Sequence, residues 1–208
     1  MERGRPRNFD QDQALDAALR VFWLNGYQAA SLAELTRVMG VSKPSLYAAF
    51  GNKEQLYLKA LQRYTEQQLQ RHAEALAAES DLKLALRRFL RSVAAMLTAP
   101  DLPGGCMVVT SAVACDNRAL PGQVVSAIAE TVNRSSFDLL RRRLEAELGQ
   151  RHLPRQTPIE PLADYFTTLM CGMAVMAKLG ITEERLYATI EQALCALPEP
   201  GTSEPLDH

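Results

Sequence analysis

The stretch from Ser31 to Lys53, SLAELTRVMGVSKPSLYAAFGNK, constrains the fold of this chain more than any other part of the sequence. Ser31 and Glu34 have the spacing of a capping box, so the stretch should begin with a helix. Gly40 provides the left-handed backbone of a sharp turn, and Ser42 can then cap a second helix. Two short helices joined by such a turn predict a helix-turn-helix, whose second helix is short enough to lie in a DNA major groove.

The outward-facing side chains of this second helix have the chemistry of a DNA contact. The hydroxyls of Ser42 and Ser45 permit a close approach to the groove floor, Lys43 can reach a guanine edge or a phosphate, and Tyr47 can touch the DNA backbone. The same pattern also fits a capped helical hairpin inside an ordinary all-α domain, so the flanking sequence has to decide. The candidate DNA-binding residues are Ser31, Arg37, Ser42, Lys43, Pro44, Ser45, Tyr47 and Lys53, with Arg3, Arg5 and Arg7 of a basic N-terminal tail that either follows phosphates or simply solubilises the terminus.

Residues 9 to 61 carry a run of motifs in a fixed order. An aromatic-x-x-x-Gly-Tyr sequence ends helix 1, a serine begins helix 2, Gly-Val-Ser forms the turn, Leu-Tyr-x-x-Phe closes helix 3 and Asn-Lys-Glu-x-Leu opens helix 4. This order and spacing resembles the DNA-binding domain of the TetR family of bacterial transcription regulators. The resemblance implies an all-α fold of about nine helices and a repressor that a small molecule releases from DNA. Pro44-Ser45 departs from the small pair common in the family, which leaves the base preference open.

The predicted domain organisation follows from the resemblance and from the helical periodicity. Residues 1–53 form the helix-turn-helix domain with its basic tail, residues 54–197 form a helical effector-binding and dimerisation domain, and residues 198–208 form a flexible tail. Helix 1 should span about Asp10 to Asn25, with Trp23 in its core-facing stripe. Helix 4 should run from Lys53 into the high seventies as a connecting rod. Arg141, Arg142 and Arg143 are predicted to lie on a solvated outer face.

Two sets of apolar residues in the larger domain predict binding surfaces. Helices 5 to 7 should enclose a pocket for a small apolar or aromatic effector, although residues at such spacing are often plain core. The candidate lining residues are Phe89, Val93, Met96, Cys106, Ile128 and Val132. The last two helices repeat apolar residues at a spacing near 3.5, which fits either a homodimer interface or a seam within one chain. The candidate interface residues are Leu162, Phe166, Leu169, Met173, Met176, Leu186, Ile190 and Leu194.

Composition and motifs argue against other classes of protein. No apolar run is long enough to cross a membrane and no signal sequence is evident, so we expect a cytoplasmic protein without a membrane partner. His72, His152 and His208 are predicted on an exposed helix face, in a loop and at the C-terminus, and no catalytic, metal-binding or cofactor motif occurs. An enzyme is therefore not expected. An architectural DNA-binding protein that needs no effector is a second alternative, which effector-dependent loss of DNA binding would exclude.

Cys106 follows Pro103-Gly104-Gly105 and is predicted in the first turn of a short helix that runs to Cys115. Unpaired amides at a helix N-terminus stabilise a thiolate, so an alternative function is redox or electrophile sensing through Cys106. Cysteine is also among the most buried residues, and Cys106 then serves as a small core side chain. The four cysteines are widely spaced, so reduced thiols are expected.

Overall fold

The computed structural model describes residues 9–113, 120–150 and 152–198, without the side chains of residues 113 and 132–135. Over these residues the chain forms helices and no strand, which confirms the predicted all-α class. The helices are α1 (Gln11–Ala29), α2 (Leu32–Met39), α3 (Lys43–Phe50), α4 (Lys53–Ala77), α5 (Leu82–Thr98), α6 (Met107–Val113), α7 (Gly122–Gly149), α8 (Ile159–Lys178) and α9 (Glu183–Ala193), the last followed by a 3₁₀ turn.

The first three helices begin where the sequence predicts. The side chain of Ser31 accepts a hydrogen bond from the Glu34 amide at 3.1 Å, and Ser42 accepts one from the Ser45 amide at 3.2 Å. Gly40, with φ 66°, ends α2 in the left-handed conformation that a side chain would strain. Helix 1 continues beyond its predicted end, because Gly26 at φ 71° only interrupts it before the last turn.

Helix α4 connects the three-helix unit to the rest of the chain. Asn52 and Gln55 form a capping box at its first turn, and its N-terminal half packs on α1. The helix also packs on α5 and α7. On α4, Tyr57 and Tyr64 are fully buried, and the Tyr57 hydroxyl donates to Ser111 on α6 at 2.8 Å. The same helix therefore contributes side chains to both ends of one continuous core.

Polar contacts fasten α1 to the larger domain. The Arg63 guanidinium on α4 donates to Asp12 and Asp16 on α1, each through a bond of 2.8 Å. The Trp23 indole donates to the carbonyl of Gly105 at 3.2 Å, and its ring meets that of Tyr64 edge-on with centroids 4.9 Å apart. Trp23 is buried, as predicted for a core residue. A displacement of the loop before α6 would therefore also move α1.

The candidate dimer-interface residues differ in how far their own chain covers them. Leu169 is half-buried and Met176 is exposed, but the other six candidates are covered by their own chain, because α8 and α9 pack against α5. Burial within the chain leaves these side chains little surface for a partner subunit. The six are Leu162, Phe166, Met173, Leu186, Ile190 and Leu194.

Arg143 also differs from its prediction as a solvated residue. Its guanidinium donates to Glu147 at 2.8 Å and to the backbone carbonyls of Leu76, Glu79 and Ser80, at 2.9, 3.1 and 2.9 Å. Arg143 therefore holds the turn between α4 and α5 against α7. Sequence periodicity missed this role because the partners are carbonyls more than sixty positions away in the chain.

We expect Arg143→Ala to lower the free energy of unfolding by about 3 kcal/mol, because it removes one partner of the buried Glu147 carboxylate. The neighbouring Arg142 is exposed, so Arg142→Ala should stay within about 0.5 kcal/mol of the parent. Urea denaturation at matched protein concentration measures both. Equal losses in the two variants would contradict a structural role for Arg143.

Candidate DNA-reading surface and effector cavity

Helix α3 presents one apolar and one polar face. Leu46 and Phe50 are buried where α3 packs on α2 and α4, whereas Lys43 and Tyr47 are exposed. Ser42 and Ser45 lie at the first turn, with their hydroxyl oxygens 2.8 Å apart. Small hydroxyls beside a free ammonium suit the approach of a helix to base edges. The structure thus brings together the residues that the sequence selected for groove contact, including the exposed Pro44.

The candidate phosphate contacts differ in how accessible their side chains are. Ser31 is exposed at the start of α2, and Arg37 is exposed in its last turn. The ammonium of Lys53 already has contacts within the protein. It donates to the Gln28 carbonyl at 3.3 Å and lies 4.6 Å from the centre of the Tyr27 ring. Partial burial lowers the pKa of Lys53. Arg3, Arg5 and Arg7 lie outside the described residues.

A cavity of about 90 Å³ lies between α4, α5, α7 and α8. Val93, Met96 and Cys106 line it, as the sequence predicted. Phe89 and Ile128 do not, because both are packed into the surrounding core. The side chain of Val132 lies outside the described residues. The sequence missed several lining side chains, among them Tyr64, Gln68 and His72 on α4 and Cys171 on α8.

His72 is buried, which corrects its prediction as a residue of an exposed helix face. Its Nδ1 lies 2.8 Å from the Ser92 hydroxyl, and its ring meets Phe89 edge-on with centroids 6.0 Å apart. Burial, with a smaller effect from the charge of Arg71, lowers the pKa of His72 to about 4. The imidazole is therefore neutral near pH 7.

Tyr64 links the cavity to the N-terminal unit. Its hydroxyl donates to the sulfur of Cys106 at 3.3 Å, and its ring contacts Trp23. Burial raises the pKa of Tyr64 well above its ordinary value. Cys106 precedes α6 by one residue and its carbonyl accepts from the Thr110 amide, so it is the capping residue of a helix predicted to begin with it. Cys115 lies outside the described residues.

A spacing of four residues places Tyr64, Gln68 and His72 on the same face of α4. A polar stripe on the buried face of a long helix was the available sequence signal. It was missed because only the apolar positions were used to orient the helix. Among the described residues no cluster of metal-binding side chains occurs, and none of their helices is long and apolar enough to cross a membrane.

Two protein-family models match the chain in succession. The model described as "Bacterial regulatory proteins, tetR family" matches residues 14–60, from α1 into α4. The model described as "Tetracyclin repressor-like, C-terminal domain" matches residues 84–194, from α5 through α9. The two matches follow the division between helices α1 to α3, which together form the reading head, and the domain that holds the cavity.

Similar proteins cover nearly the whole chain. The HTH-type transcriptional repressor ComR of Escherichia coli K12 is 32% identical over 202 residues, which span 95% of this chain and 93% of ComR. The repressor BdcR of the same organism is 31% identical and covers 91% of this chain and 90% of its own. A cysteine-substituted variant of the TetR family regulator CifR, solved with a 26-base-pair operator, is 37% identical with a TM-score of 0.87, covering 94% of this chain and all of CifR.

The buried state of His72 predicts a specific pH dependence. Between about pH 6.5 and pH 4 the unfolded chain binds a proton at His72 that the folded chain does not, so stability falls as the pH is lowered through this window. We expect the parent to lose about 2 kcal/mol more stability than His72→Phe between pH 7 and pH 5. Denaturant melts of both proteins at the two pH values measure the difference. Parallel losses would show that His72 does not titrate in this way.

Proposed function

The chain belongs to the TetR family of bacterial transcription regulators, and we propose that it is a homodimeric repressor of the bacterial cytoplasm, where its DNA lies. In this proposal α3 of each subunit reads one half of a palindromic operator in double-stranded DNA. A small apolar or aromatic effector that enters the cavity releases the operator. No cofactor and no catalysis are involved. The observation that carries the proposal is the direct contact between a cavity-lining side chain, Tyr64, and Trp23 of the reading head.

This contact supplies a route from effector to DNA. Tyr64 lines the cavity and touches both Trp23 and Cys106, while Trp23 also holds the carbonyl of Gly105. An effector that pushes α4 or the Gly105 loop outward must therefore tilt α1 with it. The two reading heads of a dimer have to lie about 34 Å apart to meet successive major grooves, so a small tilt of each weakens simultaneous contact.

The exposed apolar residues of α8 support a revised dimer surface. Tyr165, Val175 and Met176 are each more than a third exposed, and Leu179 at the end of the helix is 75% exposed. A cluster of large exposed apolar side chains is typical of a protein interface. Leu169 and Met176, the two candidates that remain accessible, lie beside a groove between α8 and α9. We propose this face of α8, with that groove, as the contact between subunits.

The reading function is tested at Lys43. We expect Lys43→Ala to weaken operator binding by about tenfold and to reduce the preference for operator over unrelated DNA, since Lys43 is placed to reach base edges. Lys83→Ala removes an equally exposed lysine on α5 and should bind as the parent does. Fluorescence anisotropy with operator and scrambled duplexes, each at two salt concentrations, measures both effects. Unchanged affinity and preference in Lys43→Ala would remove α3 as the reader.

The dimer surface is tested at Leu179. We expect Leu179→Glu to shift the chain toward monomer, because it buries an unpaired charge at the proposed interface. Leu84→Glu makes the same change at an exposed leucine of α5 and should remain dimeric. Sedimentation velocity over a range of protein concentrations gives the distribution. If Leu179→Glu dimerised as strongly as the parent, the interface would have to lie on another face of the protein.

One observation supports the alternative in which the signal is a reactive molecule. The Tyr64 hydroxyl donates to the sulfur of Cys106, which stabilises negative charge on that sulfur, and Cys171 lines the same cavity. Burial raises the pKa of Cys171, so Cys106 is the proposed reacting thiol. An electrophile such as a quinone would add to this thiol: the sulfur forms a bond to a ring carbon, a ring C=C bond is broken, and the thiol proton passes to a quinone oxygen.

The Cys106 alternative predicts that brief quinone treatment abolishes operator binding by the parent and by Cys195→Ser but spares Cys106→Ser. Cys195 is exposed and outside the cavity, so it controls for unspecific modification. The measurement is a gel shift with operator DNA, paired with mass spectrometry of the modified cysteine. Loss of binding in all three proteins, or in none, leaves a reversibly bound effector as the signal.

A further inference from the structure

The cavity is uncharged over the part of its wall that the structure describes. Its lining there consists of aliphatic, sulfur-containing, hydroxyl, phenol, amide and imidazole side chains, with no lysine, arginine, aspartate or glutamate. His72 is neutral, as described above. An ionised ligand would leave water without gaining an opposite charge from these residues, which is strongly unfavourable. This wall therefore favours a neutral ligand.

The hydroxyl protons of several lining residues are already committed. The hydroxyls of Thr65 and Thr167 donate to the carbonyls of Leu61 and Ala163, each at 2.8 Å within their own helices. The Tyr64 hydroxyl donates to the sulfur of Cys106. These groups have lone pairs to offer a ligand, but their protons are used.

Two further acceptors on α4 are the Gln68 amide oxygen and the His72 imidazole. The side-chain oxygen Oε1 of Gln68 is buried and has no hydrogen-bond partner. At His72, the Ser92 hydroxyl gives its one proton to the carbonyl of Phe89 at 2.8 Å, so the bond between Nδ1 and Ser92 uses the imidazole proton. The other ring nitrogen, Nε2, then carries a lone pair. Gln68 and His72 are four residues apart and line the same cavity, so both acceptors belong to one face of α4.

We propose that the cavity binds a compact, neutral and largely apolar molecule that carries a hydroxyl or N–H donor, and that the Gln68 oxygen and the His72 Nε2 share the proton of this donor in a three-centre hydrogen bond. The inference rests on the proposed function, since it names the chemical class of the effector. A cavity of about 150 Å³ is known to hold benzene. The cavity of about 90 Å³ is smaller, so a six-membered ring has to spread its walls, one of which is α4.

A wider cleft between α4 and α7 offers a way in. It shares Thr65, Leu69 and Thr131 with the cavity, so the two spaces adjoin at these residues. Access from this side brings a ligand first to α4, the helix that carries both acceptors.

Three probes of similar shape separate the possibilities. Phenol carries the donor, toluene replaces the hydroxyl with a methyl group, and benzoate carries a negative charge. Isothermal titration of the full chain should show phenol binding about tenfold or more tighter than toluene, because toluene leaves the buried acceptors unpaired. Benzoate should bind more weakly than phenol. Equal binding of phenol and toluene, stronger binding of benzoate, or no saturable binding of phenol would each overturn the proposal.

Substitution of the acceptors makes the test specific to these residues. Gln68→Met keeps an unbranched side chain of similar length, and His72→Phe keeps the ring while Ser92 retains its bond to Phe89. Each variant should bind phenol about tenfold more weakly and toluene at least as tightly as the parent. Gln70→Met makes the matched change at an exposed position of α4 and should keep the preference of the parent. A parent-like preference for phenol in both acceptor variants would overturn the assignment.

The free protein gives a second readout that needs no ligand. Because the Gln68 oxygen is buried without a partner, Gln68→Met should raise the melting temperature of the unliganded chain, whereas Gln70→Met should leave it unchanged. A lower melting temperature for Gln68→Met would mean that the amide oxygen has a hydrogen-bond partner in the free protein. This result would overturn its role as an acceptor for the ligand.

Operator release is measured separately, by anisotropy with labelled DNA. Donor-dependent phenol binding without release of the operator would support the inference and count against the proposed effector mechanism. Release of the operator by benzoate but not by phenol would support that mechanism and overturn the inference.

Discussion

Arg63 on α4 binds Asp12 and Asp16 on α1, and beside this pair Trp23 packs on Tyr64 and holds the carbonyl of Gly105. These contacts decide how the small N-terminal unit sits on the rest of the chain. Three short helices expose too much surface to hold a rigid orientation through one linker. The aromatic contact is buried and excludes water, so it contributes more than the partly exposed ion pair. One of the side chains that position the reading head, Tyr64, therefore also lines the cavity.

The reading head was largely predictable from sequence, because its determinants are local. Ser31, Gly40 and Ser42 act on the backbone within a few residues of themselves, so spacing alone locates the helices. The position of His72 depends instead on where α5 packs against α4, and Arg143 depends on carbonyls of a distant turn. The apolar spacing in α8 and α9 was real, but periodicity cannot tell whether a stripe faces its own chain or a partner. The side chains that line the cavity were accordingly predicted less well than the helices of the reading head.

The stripe of Tyr64, Gln68 and His72 has an energetic cost for the free protein. A neutral buried imidazole loses stability as the pH falls, and an unpaired buried amide oxygen costs about 1 to 3 kcal/mol relative to a paired one. Leucine or methionine at these positions would fit the apolar surroundings without that cost. Functional sites are the places where local rules of stability are broken in this way. The polar groups on the buried face of α4 are therefore better explained by a ligand than by folding.

The narrowness of the cavity explains how a ligand could act at a distance. A ligand shifts a conformational equilibrium only by the difference between its affinities for the two states, so a molecule that fitted both equally would not release DNA however tightly it bound. Helix α4 has 25 residues and is about 37 Å long, and Tyr64 lies in its N-terminal half. A molecule too large for the cavity of about 90 Å³ prefers the state in which α4 has moved outward. In the proposed mechanism the contact between Tyr64 and Trp23 gives that state a displaced α1, and the misfit between ligand and cavity supplies the free energy that moves the reading heads away from the operator.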